Sequence, residues 1–368
     1  MSRDSIFRLG AAVCVLLSLL AAVEALAGAD YWAGPTISAA LICLALSSRG
    51  FPLLRPWTFT LWVAAAVVAG LAFPTWFIGV GDFKFTALFK PLLMLIMFCM
   101  GATLSVADFA NVLRFPIPVF IGLLCQFTIM PFLGYTIATS FGFPAEVAAG
   151  VVLVGVSPSG LASNVMSYIA RANVALSVTI TALASLMSPI LTPLLMHWLA
   201  GEMIAMNTGH MMVEIAEMVV MPIVGGLVFH HLLLHRLQWI DRILPFISMF
   251  GIIAMTVLTV AIGRDNLLQV GPLLLAACLL HNLGGFTLGY WASQMLGMDQ
   301  LTARTVAIEV GMQNCGLASG IAASLNKVAT LGLAPIIFGP IMNTTASLLA
   351  NWWRNHPPDA LAPDYSAP

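Results

Sequence analysis

The sequence predicts an all-α polytopic membrane protein with a ten-helix core, and three observations carry that prediction. Of its 368 residues, 60% are hydrophobic and 8% charged, against roughly 25% charged in soluble domains. Apolar stretches approaching the ~20 residues that cross a bilayer recur from end to end. A short pattern, G-x-x-x-x-G-L-A, occurs twice, at Gly155–Ala162 and Gly311–Ala318, each time in the middle of a predicted span.

Taken in order, residues 1–50 form an N-terminal extension with apolar segments near 6–28 and 33–48. Arg3 and Arg8 precede the first run, which closes on Ala25-Leu26-Ala27 and so resembles a signal-peptidase site. The run from Leu9 to Ala27 is longer than the usual ~7–15 residues of such a signal, and Glu24 stands just before the site. Two readings stand, a cleaved signal peptide and a retained helical hairpin, and length favours the hairpin. Gly34-Pro35 opens the second segment and makes it a candidate for a tilted or re-entrant path.

A transport-type domain over residues 51–353 follows, with spans expected near 58–80, 87–107, 115–140, 144–170, 173–200, 211–234, 240–263, 270–296, 302–326 and 327–350. The tail, residues 354–368, carries Pro357, Pro358, Pro363 and Pro368 and is expected to be disordered. With the N-terminus inside, cytoplasmic connections carry ten cations: Arg3, Arg8, Arg49, Arg55, Arg114, Arg171, Arg236, Arg242, Arg304 and Arg354. The outer connections carry four, Lys84, Lys90, Arg264 and Lys327. The positive-inside rule therefore places both termini in the cytoplasm of a multi-pass inner (plasma) membrane protein.

Net charge of -1 supplies no basic surface for nucleic acid. Cys14, Cys43, Cys99, Cys125, Cys278 and Cys315 all lie in apolar stretches and read as small core residues, not as a disulfide or metal framework. Nothing in the chain sets an oligomeric state.

The repeated pattern falls in the fourth and ninth core spans, five apart. An odd offset inverts orientation in the membrane, so it predicts two inverted five-helix repeats whose interrupted helices meet near the midplane. Glycine and proline weaken a helix there. Unwound backbone at that depth is tolerated only where it lines a cavity or is buried in protein. Its carbonyls and half-helix ends are suited to a cation or an anionic group.

Polar residues gather at these breaks. Glu309 stands in the middle of the Leu301–Leu325 stretch. A charge at membrane depth costs at least ~2.5 kcal/mol, so it requires a partner, an ion or water. Gln313 shares its helical face, four residues on. Ser157, Ser159, Ser163 and Asn164 flank the first break, Ser177 and Thr181 share one face of the next span, and Gln126 sits in an apolar setting before Pro131. These oxygens suit a hard cation, and no Cys/His grouping suits a transition metal. Taken singly, Ser177 and Thr181 are expected to bond their own helix, and Gln126 is as consistent with helix–helix glue as with a site.

An ion site in a transporter is the reading that unites them. The carboxylate leaves proton coupling as the alternative to sodium; the hydroxyls and amides favour sodium. A membrane sensor is less expected because no soluble output domain is visible. An enzyme is not expected: there is no nucleophile–base pair or H-E-x-x-H motif, and His281 beside Asn282 reads as helix glue.

Several segments resemble the bile acid:sodium symporter family, especially its bacterial branch. They are Gln126–Pro131, Pro158–Thr181 with its Ser163-Asn164 pair, Ile308–Ala318 around Glu309, and His281-Asn282 with Gly285. The similarity runs from about Thr58 to Trp353, and residues 1–50 have no counterpart. The resemblance implies panel and core domains with two crossed broken helices. It also implies sodium-coupled import of an organic anion (a pantoate-like, pantothenate-precursor-like or bile-acid-like carboxylate) by alternating access, with two sodium ions and no other cofactor. Carried over by position, a first sodium site uses Ser163, Asn164, Ser177, Thr181 and Glu309. A second uses Gln126, Glu309, Gln313 and the carbonyls of Val310 and Met312. Candidate solute contacts are Ser159, Gly160, Asn314 and Asn343.

The chain departs from the family pattern at both crossover motifs and at Met342, which precedes Asn343 where some members offer a polar side chain. Pro158-Ser159-Gly160-Leu161 stands where members commonly have Pro-Gly-Gly-Thr, and Asn314-Cys315-Gly316 where they often have Asn-Ser-Gly. The implied ion ligands are intact, so the expectation is preserved coupling with altered specificity.

Overall fold

The computed structural model describes residues 3–26, 30–48, 50–51, 54, 57–105, 108, 112–234, 238–241 and 243–358. Ala27 of the possible cleavage site, four predicted cytoplasmic arginines (Arg49, Arg55, Arg236 and Arg242) and residues 359–368 of the predicted tail lie outside them. Within the described residues the chain is helical throughout its spans, with one short two-stranded hairpin. It is an all-α, multi-pass membrane protein.

Helices α1 (Arg3–Leu26) and α2 (Asp30–Ser48) pack side by side, with Gly10 against Ser47. Pro35 lies early in α2, which runs on as one helix. Helix α2 in turn packs on α3 (Thr58–Ala72), where Gly34 meets Ala72 and Ser48 Oγ lies 2.6 Å from Thr58 Oγ1. Helix α3 ends at Ala72, short of the expected residue 80, because Pro74 follows and cannot continue the ladder. The chain then turns through Pro74–Phe77 into a hairpin of β1 (Gly79–Val80) and β2 (Phe83–Lys84). Gly81 takes the left-handed φ of 56° that its turn requires.

Helices α4 (Phe89–Ala102), α5 (Pro116–Ser140), α6 (Ala145–Val156), α7 (Ala162–Ile169) and α8 (Val174–Ala200) complete the first half of the core. The second half opens with α9 (Thr208–Ile215), which passes through a π-helical turn at Ala216–Val220 into α10 (Met221–Phe229). Then come α11 (Leu244–Ile262), α12 (Arg264–Met295), α13 (Gln300–Gly311), α14 (Cys315–Ser324) and α15 (Leu333–Asn355). Among the described residues six helices are long and apolar enough to cross a bilayer, α5, α8, α12 and α15 included. The pairs α6/α7 and α13/α14 fall short of that length because a break divides each crossing, in the fourth and ninth core spans.

The last span is displaced from the expected 327–350 at both ends. Asn326 adopts a left-handed φ of 56°, and Lys327 and Thr330 both bond the Glu146 carboxylate at the start of α6, so the helix waits until Leu333. At its far end, buried Arg304 donates to Trp353 O at 3.2 Å and His356 O at 2.7 Å and lies over the Trp353 ring. A cation on the final carbonyls stabilises a helix C-terminus, and α15 reaches one turn further than its hydropathy predicts.

Two groups of helices result. Helices α3, α4, α10 and α11 pack together, and α5–α8 pack with α12–α15. In the first group, a Cβ on Gly101 would fall 2.1 Å from Ile223 O and one on Gly226 2.2 Å from Phe98 O, so α4 and α10 meet backbone to backbone. The second group holds both breaks. All six cysteines are free thiols.

Candidate functional site

Pro158 makes the first break. It has no N–H to give and its ring clashes with the preceding turn, and it forces the residue before it into extended geometry. Ser157 accordingly sits at φ -73°, ψ 150°, and α6 stops at Val156. Thr192 Oγ1 donates to the orphaned Val156 O at 2.8 Å. The second break has no proline. Met312 is extended at φ -110°, ψ 101°, and Asn314 restarts the helix as N-cap, its Oδ1 accepting from Leu317 N at 3.0 Å.

These two extended segments cross and pair. Ser159 and Gln313 form an antiparallel bridge, with Gly160 N donating to Met312 O at 3.0 Å and Asn314 N donating to Pro158 O at 2.8 Å. The bonds are reciprocal about the Ser159–Gln313 pair, as two inverted copies of one motif require. A Cβ on Gly160 would stand 3.0 Å from Gln313 O, so the close approach depends on glycine there. Each break thereby satisfies the backbone groups that the other frees, which is the condition for unwound chain at membrane depth.

Glu309, fully buried on the last turns of α13, faces this crossing. Its Oε1 accepts from Ser177 Oγ at 2.5 Å; its Oε2 accepts from Ser159 Oγ at 2.6 Å and Thr181 Oγ1 at 2.7 Å. Asn164 Oδ1 lies 2.9 Å from Ser177 Oγ and 3.3 Å from Thr181 Oγ1, which is 3.2 Å from Ser163 Oγ. Ser177 and Thr181 do not turn back on α8, as each taken alone was expected to do. A buried carboxylate is a stronger acceptor than a helix carbonyl already in its ladder.

Gln126 and Gln313 form a second oxygen-rich group beside the first. Gln126 Nε2 donates to Gln313 Oε1 at 2.9 Å and Ser157 O at 3.0 Å, and Gln313 Nε2 donates to Val310 O at 2.6 Å. Met312 O is the carbonyl that accepts from Gly160. The predicted residues Gln126, Ser159, Gly160, Ser163, Asn164, Ser177, Thr181, Glu309, Val310, Met312 and Gln313 are thus linked in one network.

The side chains of Asn314 and Asn343 stand apart from that network. Among the described residues the Asn314 amide nitrogen meets only Met97 Sδ of α4, at 4.0 Å, whereas Asn343 donates to Gly339 O of its own helix at 2.8 Å. His281 Nε2 bonds Met130 O at 3.0 Å and its ring packs edge-on against Phe338, a tie between helices. Sequence reasoning missed three supports: Thr192 on Val156 O, Asn282 donating to Gly311 O at 2.8 Å, and Thr345 donating to Asn282 Oδ1 at 2.5 Å. Adjacent polar residues in apolar spans, such as His281-Asn282 and Thr344-Thr345, were the available signal.

Residues 90–270 match the sodium bile acid symporter family. An uncharacterized sodium-dependent transporter of Bacillus subtilis, YocS, is 38% identical over 80% of this chain and 90% of its own length. The chain belongs to the sodium bile acid symporter family. It is a membrane transporter, not an enzyme. The symporter is also similar to the probable chloroplastic sodium/metabolite cotransporter BASS1 of Oryza sativa subsp. japonica, at 32% identity over 82% of this chain and 73% of that protein. The ileal sodium/bile acid cotransporter of Oryctolagus cuniculus is 30% identical over 62% of this chain and 67% of its own. The symporter's network of hydroxyl, amide and carboxylate oxygens has the donor chemistry that suits an alkali cation.

Proposed function

We propose that the symporter imports a small organic anion together with two sodium ions by alternating access. Glu309 carries the reading: a lone carboxylate, fully buried, ringed by hydroxyls at the crossing of two unwound segments. One ion is assigned to Ser163, Asn164, Ser177, Thr181 and Glu309. The other is assigned to Gln126, Glu309, Gln313 and the carbonyls of Val310 and Met312, each of which keeps a second lone pair for a cation beside its present amide donor. Both ions share Glu309, so a single carboxylate couples them.

A pantoate-like carboxylate is the proposed cargo, held between the crossover and α4. Asn314 is its favoured contact, since its amide nitrogen has no oxygen partner among the described residues and faces Met97; Asn343 already bonds its own helix. Two cations with one monovalent anion carry one net charge inward. That gains ~2.3 kcal/mol per 100 mV, equivalent to ~50-fold accumulation. Residues 1–50 are assigned to a retained hairpin seated on α3, and both termini to the cytoplasm of the inner membrane; the intact mass of the purified chain tests retention.

In proteoliposomes, Glu309→Gln should abolish sodium-driven uptake, a loss of at least about a hundredfold by the cost of removing a buried charged partner. Full sodium-driven uptake by that variant defeats the assignment. Proton coupling through Glu309 predicts instead that uptake at fixed pH survives replacement of sodium by choline.

A further inference from the structure

Hydroxyls inside the spans mostly turn back on their own helix. Ser157 bonds Leu153 O at 2.7 Å, Thr179 bonds Ala175 O at 2.7 Å and Ser185 bonds Thr181 O at 2.8 Å, the common habit of such residues. Ser159 does otherwise. It has no exposed surface, its Oγ donates to Glu309 Oε2 at 2.6 Å, and it lies 3.5 Å from Thr181 Oγ1. Its backbone is fixed by the bridge to Gln313, and its hydroxyl is held at the carboxylate.

We propose that Ser159 Oγ is a further ligand of the cation held at Glu309 rather than a contact for the transported solute. The inference rests on the sodium-coupled reading above. A hydroxyl that donates its single proton to a carboxylate keeps lone pairs for a cation beside that carboxylate. Ser159 has the surroundings of Ser177 and Thr181: full burial and a short bond to Glu309. With it, six residues (Ser159, Ser163, Asn164, Ser177, Thr181 and Glu309) bring side-chain oxygen to one network. A solute contact would need an accessible oxygen, and this one is enclosed. The Ser159 side chain therefore acts on ion binding.

The full-length protein in detergent, without solute, is titrated with sodium chloride against choline chloride at constant ionic strength while its thermal midpoint is followed. Ser159→Ala should raise the sodium concentration that gives half the stabilisation by about tenfold, equivalent to ~1.4 kcal/mol, and Ser159→Thr, which keeps the hydroxyl, should stay near the unmodified value. The midpoint in choline alone reports folding separately, and Ser159→Gly carries the same test if the alanine variant does not fold. A sodium titration unchanged by loss of the hydroxyl, with solute half-saturation raised instead, overturns this proposal alone. Absence of any sodium effect on the unmodified chain overturns the sodium reading and this proposal with it.

Discussion

In the first half of the core a proline ends the helix; in the second half the same interruption occurs with no proline present. Pro158 imposes the break from within its own chain, by sterics and a missing N–H. At Met312–Asn314 the helix gives way because the partner segment offers two backbone bonds, Asn314 caps the restart, and Asn282 takes the carbonyl of Gly311. The first break is intrinsic and the second is conditional on it. The half that carries Glu309 therefore borrows its geometry from the half that does not.

That asymmetry can be broken deliberately. The largest effect is expected from Pro158→Ala, which lets α6 compete for a continued helix and removes the platform on which the second break forms. Sodium stabilisation should weaken by roughly tenfold or more, as loss of a ~1.4 kcal/mol preference implies. An unchanged sodium titration would show that the second half can hold the crossing alone. Thr192→Val comes next. It leaves Val156 O buried without a partner, at ~1–3 kcal/mol, and should lower the thermal midpoint with sodium affinity much less affected. Equal loss of both would mean that this carbonyl bond positions ligands as well as supporting the fold.

The smallest effect belongs to Asp299, the N-cap of α13 outside the membrane span. Its carboxylate accepts from Leu301 N and Thr302 N and from the Thr302 hydroxyl. Burial alone raises its pKa, but the bonds from Thr302 and Leu301 outweigh that and leave it below the ordinary value. A depressed folded pKa contributes stability above the unfolded carboxylate range, lost as pH falls through the folded value. Asp299→Ala should cost ~1 kcal/mol at neutral pH, and the gap should close in strong acid. A midpoint difference that persists below that range would assign the effect to packing rather than to the charged cap.

Much of this site was legible because glycine, proline and a mid-span carboxylate are local signals. The echo at Gly155 and Gly311 marked both breaks, and the four-residue spacings put Glu309 with Gln313 and Ser177 with Thr181 on common faces. Where each hydroxyl points was not legible. Ser177 and Thr181 alone read as self-bonded residues, and only the arrival of Glu309 from another helix redirects them. Thr192 was missed for the same reason, since its value lies in a carbonyl 36 residues away. Helix ends set by distant side chains were also missed: Glu146 delays α15, and Arg304 prolongs it.

The reciprocal bonds at the crossing have a mechanical consequence. Pulling Gly160 from Met312 and Asn314 from Pro158 would bare four main-chain groups where no water can reach them, and each such orphan costs several kcal/mol. The joint is accordingly welded, and under the alternating-access proposal both half-helix pairs would travel as one chassis. Sliding would then run along a seam of apolar contact, such as the seat of Leu93 on Gly320 between α4 and α14.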